Sequence, residues 1–198
     1  MVRRTVVVLL APVSWTPPGI DPSAWRSALA EDVVDLLATL AHVEPGIAVP
    51  AGERDVAEAI AWPGMRVYEL ADPTVTAALA AAAAAGYTQA AVIAADAPDL
   101  PGLVVGKLLR PLTSCPVAVA PAGTTGLLGI AARLPAPDWL PEVDLDTDPG
   151  AIIAAAPRRG DVAVTPSWRR LRGAADLATL DPQLDGWDAT RALLSAGG

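Results

Sequence analysis

Six consecutive apolar residues, Ala90-Ala91-Val92-Ile93-Ala94-Ala95, run straight into Asp96-Ala97-Pro98-Asp99-Leu100-Pro101. An apolar run of that length without alternation fits a strand buried on both faces, as in the middle of a parallel sheet covered by helices. The flanking sequence supplies such helices. Residues 74–85 predict one, stopped by Gly86, and Pro101 opens another that continues through Leu109.

The same alternation extends along the chain. Residues 6–10 read as the first strand, followed by the loop Thr16-Pro17-Pro18-Gly19. Ser23 is then expected to cap a helix in which Trp25, Leu29, Val33, Leu36, Leu37 and Leu40 recur at steps of three and four. A short strand at 46–49, a helix at 54–62 and a strand at 65–69 come next. Beyond the central strand lie strands at 117–120 and 127–132 and a stretch punctuated by Pro and Asp at 135–150. A helix near 151–156, a strand at 162–164 and helices near 174–180 and 187–194 complete the pattern. Strands alternating with helices predict an α/β protein built on a mostly parallel sheet, read here as one domain over 1–198 without internal repeats.

Charge and composition narrow the function classes. With 22 acidic against 14 basic residues the formal charge is −8, a balance that repels a phosphate backbone, so no nucleic-acid partner is expected. The longest unbroken apolar run, 77–85, falls well short of the ~18 residues a membrane span needs, and no membrane association is expected. Arg3-Arg4 before an apolar stretch imitates a short signal peptide, but a β-branched run ending at Ala11-Pro12 fits a buried first strand better. A single cysteine, Cys115, excludes an internal disulfide and any multi-thiolate metal site, which makes the cytoplasm the expected setting.

Asp96 and Asp99 are the leading candidates for chemistry. Ligands of open α/β sheets bind outside the carboxyl ends of the strands, where Asp96 falls by topology. Its carboxylate could hold Mg²⁺ or Mn²⁺, hard cations that prefer oxygen ligands and share their shell with substrate phosphates. Asp99 is placed to orient or cap the next helix, and both aspartates could equally do no more than end the strand and cap that helix. The segment Gly123-Thr124-Thr125-Gly126 offers backbone N–H groups and hydroxyls to a phosphate or nucleobase, although a plain tight turn explains it as well.

The run 91–101, preceded by Ala85-Gly86 and followed after a strand by Pro121-Ala122, resembles bacterial glycosyltransferase-like proteins related to 2-phospho-L-lactate guanylyltransferases and molybdenum cofactor guanylyltransferases. Their hallmark, a strand ending in Asp-x-Pro-Asp-Leu, is matched by Asp96-Ala97-Pro98-Asp99-Leu100. The resemblance implies a glycosyltransferase A-type fold, a Rossmann-like three-layer sheet that binds a nucleotide or nucleotide-sugar, a divalent metal and a small-molecule acceptor. It makes Asp96 the metal ligand and the 123–126 loop the donor-facing element.

The chain also departs from that pattern. The family's basic loop after the first strand is here Ala11-Pro12-Val13-Ser14-Trp15-Thr16-Pro17-Pro18-Gly19-Ile20-Asp21, with no basic residue before Arg26, and the acid of its Gly-Gly loop is missing. Asp144-Leu145-Asp146-Thr147-Asp148 is the nearest counterpart of its second metal ligand but comes early in the chain, where a solvated acidic loop is the simpler reading. Arg158, Arg159, Arg169, Arg170 and Arg172 could replace the missing basic loop, with Arg172 nearest the second ligand position; the alternative is that they are surface arginines. Trp15, in the loop beside the expected crevice, could stack on a base. Two functions follow: a metal-dependent nucleotidyl- or glycosyltransferase, or a catalytically degenerate member that binds a small ligand or a protein.

Overall fold

The structure, a computed structural model, describes residues 2–123 and 125–196. Seven strands form one sheet: β1 (Arg4–Leu9), β2 (Glu44–Pro50), β3 (Arg66–Leu70), β4 (Gln89–Ala94), β5 (Val117–Pro121), β6 (Leu127–Arg133) and β7 (Val162–Val164). Their order across the sheet is β3-β2-β1-β4-β6-β5-β7. All pairings are parallel except those of β6, which runs antiparallel to both β4 and β5. The sheet is therefore mixed but mostly parallel, as the sequence predicts.

Helices cover both faces: α1 (Pro22–Thr39), α2 (Arg54–Ile60), α3 (Val75–Ala84), α4 (Gly102–Leu109), α5 (Pro149–Ala155), α6 (Ala174–Leu177) and α7 (Asp188–Ala196). Because side chains alternate along a strand, Val6, Val8 and Ile93 pack into one core layer with Val33, Leu37 and Leu108. Val7, Leu9 and Val92 pack into the other with Val75 and Leu79. Burial on both faces is what the unbroken apolar run of β4 demands. Among the described residues no helix is long and apolar enough to cross a membrane.

The cap of α1 differs from the expected one. Asp21, not Ser23, is the N-cap and accepts the N–H of Ala24 at 2.9 Å, while the Ser23 hydroxyl donates to the same carboxylate. Pro22 at the first helical position sets this frame, since its missing N–H is no loss there.

A second aspartate caps a helix from a distance. Asp32, buried on α1, accepts the N–H groups of Ala189 and Thr190 at 2.9 Å each and so satisfies the open first turn of α7, 157 positions away. Burial pushes the Asp32 carboxyl above its ordinary value of 3.8, and the hydrogen bonds from Thr190 and Ala189 pull it back only in part. The folded chain thus binds that proton more tightly than the unfolded chain does. Its contribution to stability is largest below the ordinary value and declines as pH rises through the raised one. Unfolding in urea between about pH 3 and about pH 7 should show this decline in the wild type relative to Asp32→Asn; equal slopes would contradict it.

The segment after β7 fixes the geometry of the sheet edge. It leaves β7 and crosses the carboxyl ends of β5 and β4 as a strap, donating from Thr165 N to Val119 O at 2.8 Å, from Trp168 N to Pro121 O at 3.2 Å and from Leu171 N to Asp96 O at 2.7 Å. Antiparallel β6 begins at this same edge, beside the end of β4.

Candidate functional site

Asp96 leaves the carboxyl end of β4 and is largely buried, with its side chain 11% exposed. Both of its oxygens are taken by Arg170 of the strap. Nε donates to Oδ1 at 2.6 Å and Nη2 to Oδ2 at 2.9 Å, the bidentate geometry in which a planar guanidinium matches a carboxylate. The remaining terminal nitrogen, Nη1, faces Leu145 O at 3.0 Å, Leu127 O at 3.4 Å and Asp146 Oδ1 at 3.5 Å. Arg170 is only 9% exposed, so this pair is an interior one.

Asp99 is the buried neighbour of this pair. Arg169 and the Trp168 indole N–H, the latter at 3.1 Å, both donate to its carboxylate. α4 has no side-chain N-cap hydrogen bond, which removes the helix-capping role considered for Asp99. Three successive strap residues thus bind the two strand-end aspartates. The reading of Arg169 and Arg170 as surface arginines does not hold, whereas Arg158, 82% exposed and paired with Asp161, fits it.

The acidic stretch also folds back onto the site. Leu127 N donates to Leu145 O at 2.8 Å, which ties the 144–146 turn to the start of β6. Within that turn Asp144 Oδ1 accepts from Asp146 N and the Thr147 hydroxyl. Asp146, with its side chain 78% exposed, reaches Arg172 Nη1 at 3.2 Å. The solvated-loop reading is thus half right: the acids face water, but the backbone is anchored at the strand edge.

Gly126 allows this approach. At φ +75° a Cβ on this residue would lie 2.7 Å from Leu145 O and 3.0 Å from Arg172 Nη2, so any side chain would push the turn and the arginine away. Gly123 lies in an exposed turn closed by Ala122 N to Gly126 O at 3.0 Å and Thr125 N to Ala122 O at 3.3 Å. The tight-turn reading therefore accounts for the backbone of this loop. Thr125 lines the cleft, and Thr124 lies outside the described residues.

The cleft itself has a volume of about 340 Å³, with Ser14, Thr125, Asp96, Asp146, Arg170 and Arg172 among its lining residues. That size falls within the roughly 300–1,000 Å³ range of small-molecule sites. Arg172 lines the same cleft as Asp96 and pairs with Asp146. Trp15 packs edge-on to Trp25, with centroids 6.1 Å apart and planes at 87°, in a small apolar cluster with Leu29 and Leu171. It does not line this cleft, and the expected base-stacking role has no support in its position. Arg26, the first basic residue after β1, turns to Leu10 O, Ala11 O and Glu53.

Three solved structures share this architecture. A protein named as a candidate nucleotide-diphospho-sugar transferase from Desulfovibrio desulfuricans G20 aligns over 100% of this chain and 99% of its own, at 18% identity and a TM-score of 0.68. CMP:2-keto-3-deoxy-manno-octonic acid synthetase, solved with CTP, aligns over 98% and 99% at 14% identity and a TM-score of 0.60. Glucosyl-3-phosphoglycerate synthase from Mycobacterium tuberculosis, solved with Mn²⁺, UDP and glucosyl-3-phosphoglycerate, aligns over 98% and 79% at 16% identity and a TM-score of 0.59. The chain has the fold of nucleotidyl- and nucleotide-sugar transferases. No protein-family model and no curated protein sequence matches it. At these identities the likeness is one of fold.

The sequence resemblance implies Mg²⁺ or Mn²⁺ at Asp96. The residues present do not fit that ion. Both oxygens of Asp96 already accept from Arg170, and among the described residues no group of three His, Cys, Asp or Glu side chains could hold a metal. Sequence reasoning names Arg170 only as one of five arginines that could replace the missing basic loop and sets Arg172 nearest the site. The periodic spacing of Trp168, Arg170 and Arg172 along an extended segment is the available signal, since alternate residues share a face.

Proposed function

We propose that this chain, acting as one unit over 1–198, is a non-transferring relative of the nucleotidyl- and glycosyltransferases. It binds a small polar ligand of low charge, of nucleoside or sugar type, in the strand-edge cleft without a metal. The observation that carries this reading is the charge inventory of the cleft. Its two cations, Arg170 and Arg172, are both paired with aspartates of the same cleft. A triphosphate needs several positive charges at its oxygens, whereas here both guanidinium groups are ion-paired and one nitrogen, Nη2 of Arg172, is left without a hydrogen-bond partner. Hydroxyls of Ser14 and Thr125 and the outward carboxylate of Asp146 suit a ligand that presents hydroxyl groups instead.

Metal-dependent transfer is the competing reading, favoured by the strand-end pair Asp96 and Asp99 on this fold. Thermal melting separates the two. Nucleosides, free sugars, nucleoside mono- and triphosphates and sugar nucleotides are added singly, with and without Mg²⁺ or Mn²⁺. Near saturation a low-charge ligand should raise the melting temperature by about 5–10 °C, equally with and without metal. A triphosphate or sugar-nucleotide shift that appears only with metal would overturn the proposal, as would the absence of any shift from the low-charge set.

A further inference from the structure

A second cavity opens at the other edge of the sheet, where the strands begin. It lies between α4 and the turn that joins α1 to β2, and its volume of about 440 Å³ falls within the range of small-molecule sites. The floor is apolar, formed by Leu40, Val43, Val105 and Leu109. Its charged and titratable lining consists of Arg4, His42 and Arg110, with no carboxylate. In a chain of formal charge −8 that is a local excess of positive charge. None of the three carries an ion pair among the described residues, whereas both arginines of the Asp96 cleft do.

The lining is also held in place. Arg4 opens β1 and faces the same side of the sheet as Gln89, its partner across the pairing of β1 with β4. The buried Gln89 accepts from Arg4 Nε at 2.7 Å, which fixes the guanidinium and leaves its two terminal nitrogens uncommitted among the described residues. His42 stands at φ +66°, a left-handed conformation strained for a residue with a Cβ. A glycine would make that turn with less strain, so the position gives up stability while presenting an imidazole to the cavity. On α4 a Cβ at Gly106 would meet nothing within 4 Å, so the helix leaves this space open.

We infer that this cavity is a binding site for an organic anion, a carboxylate or phosphoryl head group carried on an apolar body. Arg4 and Arg110 hold the head group by charge-assisted hydrogen bonds, His42 adds a further N–H donor, and the leucine and valine floor takes the body. This site is separate from the cleft at Asp96 and rests on no part of the function proposed for it. Arg4 begins β1, whereas Asp96 follows the end of the parallel neighbour β4.

Calorimetric titration of the full chain with octanoate, naphthoate, octyl phosphate and naphthyl phosphate tests the assignment. Octanol, naphthol and inorganic phosphate are the controls for body and head group alone. At least one amphiphilic anion should bind once per chain, about tenfold or more tighter than its neutral body and than inorganic phosphate, and weaken as salt rises. The preferred member of each carboxylate and phosphate pair identifies the head group. Arg4→Gln combined with Arg110→Gln should weaken binding about tenfold or more. Gly106→Leu keeps every cation, fills the cavity and improves helix propensity, so it should abolish binding in a folded protein.

Equal binding of the anions and their neutral bodies would overturn the inference, as would binding that survives either variant. So would the absence of binding by all four anions at millimolar concentration. One variant removes charge and the other removes space, so if either misfolds the other still decides. Nucleosides and sugars probe the opposite edge of the sheet, and the two results stand or fall separately.

Discussion

Asp96→Ala is expected to destabilise the protein by about 3–5 kcal/mol, because it strips the buried guanidinium of Arg170 of its bidentate carboxylate and leaves only the exposed Asp146, at 3.5 Å, to balance its charge. A double variant, Asp96→Ala with Arg170→Met, should recover most of that loss, since replacing a buried ion pair by apolar groups of similar volume is often close to neutral. Urea unfolding of the two single variants and the double variant gives the coupling directly. A loss below about 1 kcal/mol for Asp96→Ala would place the pair in the class of solvated surface bridges and contradict its geometry. Stability has to be measured alongside any activity or binding assay of Asp96 variants, because a residue that anchors the strap abolishes function on removal whether or not it touches a ligand.

Gly129→Val should have an effect of similar size for a purely steric reason. A Cβ at Gly129 would sit 2.6 Å from Val92 O and 2.8 Å from Ile93 Cγ2, so a side chain there collides with the backbone of the central strand. Relief requires β6 to move away from β4, at the pairing that also brings Leu127 beside the end of β4. Overpacking of this kind costs about 3 kcal/mol or more when backbone must shift. Chemical denaturation of the variant measures the cost. A change under about 1 kcal/mol would mean that the two strands yield easily and would weaken the case for a rigid strand edge.

Much of the scaffold is legible in the amino-acid sequence. Apolar runs of strand length separated by segments of helical period locate every strand of the sheet, and the unbroken run at β4 correctly implies burial on both faces. Strand-end topology places Asp96 at the cleft. Sequence and structure part where two segments compete locally or meet only in space. Ser23 has the residue type of a cap for α1, yet Pro22 shifts the frame so that Asp21 accepts the helix N–H groups. Trp15 stands in the loop nearest the crevice, yet its ring finds a larger apolar contact with Trp25.

The role of the arginines shows the limit most plainly. Arg169 and Arg170 lie 70 and 74 positions from the strand-end aspartates they bind, Arg172 instead meets Asp146, and nothing in local spacing says which of them turns inward. That outcome depends on the strap, whose direction is set by hydrogen bonds to Val119, Pro121 and Asp96 across two other strands. The amino-acid sequence by itself determined the layered α/β architecture and the carboxylates at its edge, because hydrophobic periodicity and strand termination are local properties. Only the tertiary structure decided that those carboxylates meet arginines in the interior, because long-range pairing and burial select two guanidinium groups, those of Arg169 and Arg170, among several equivalent in sequence.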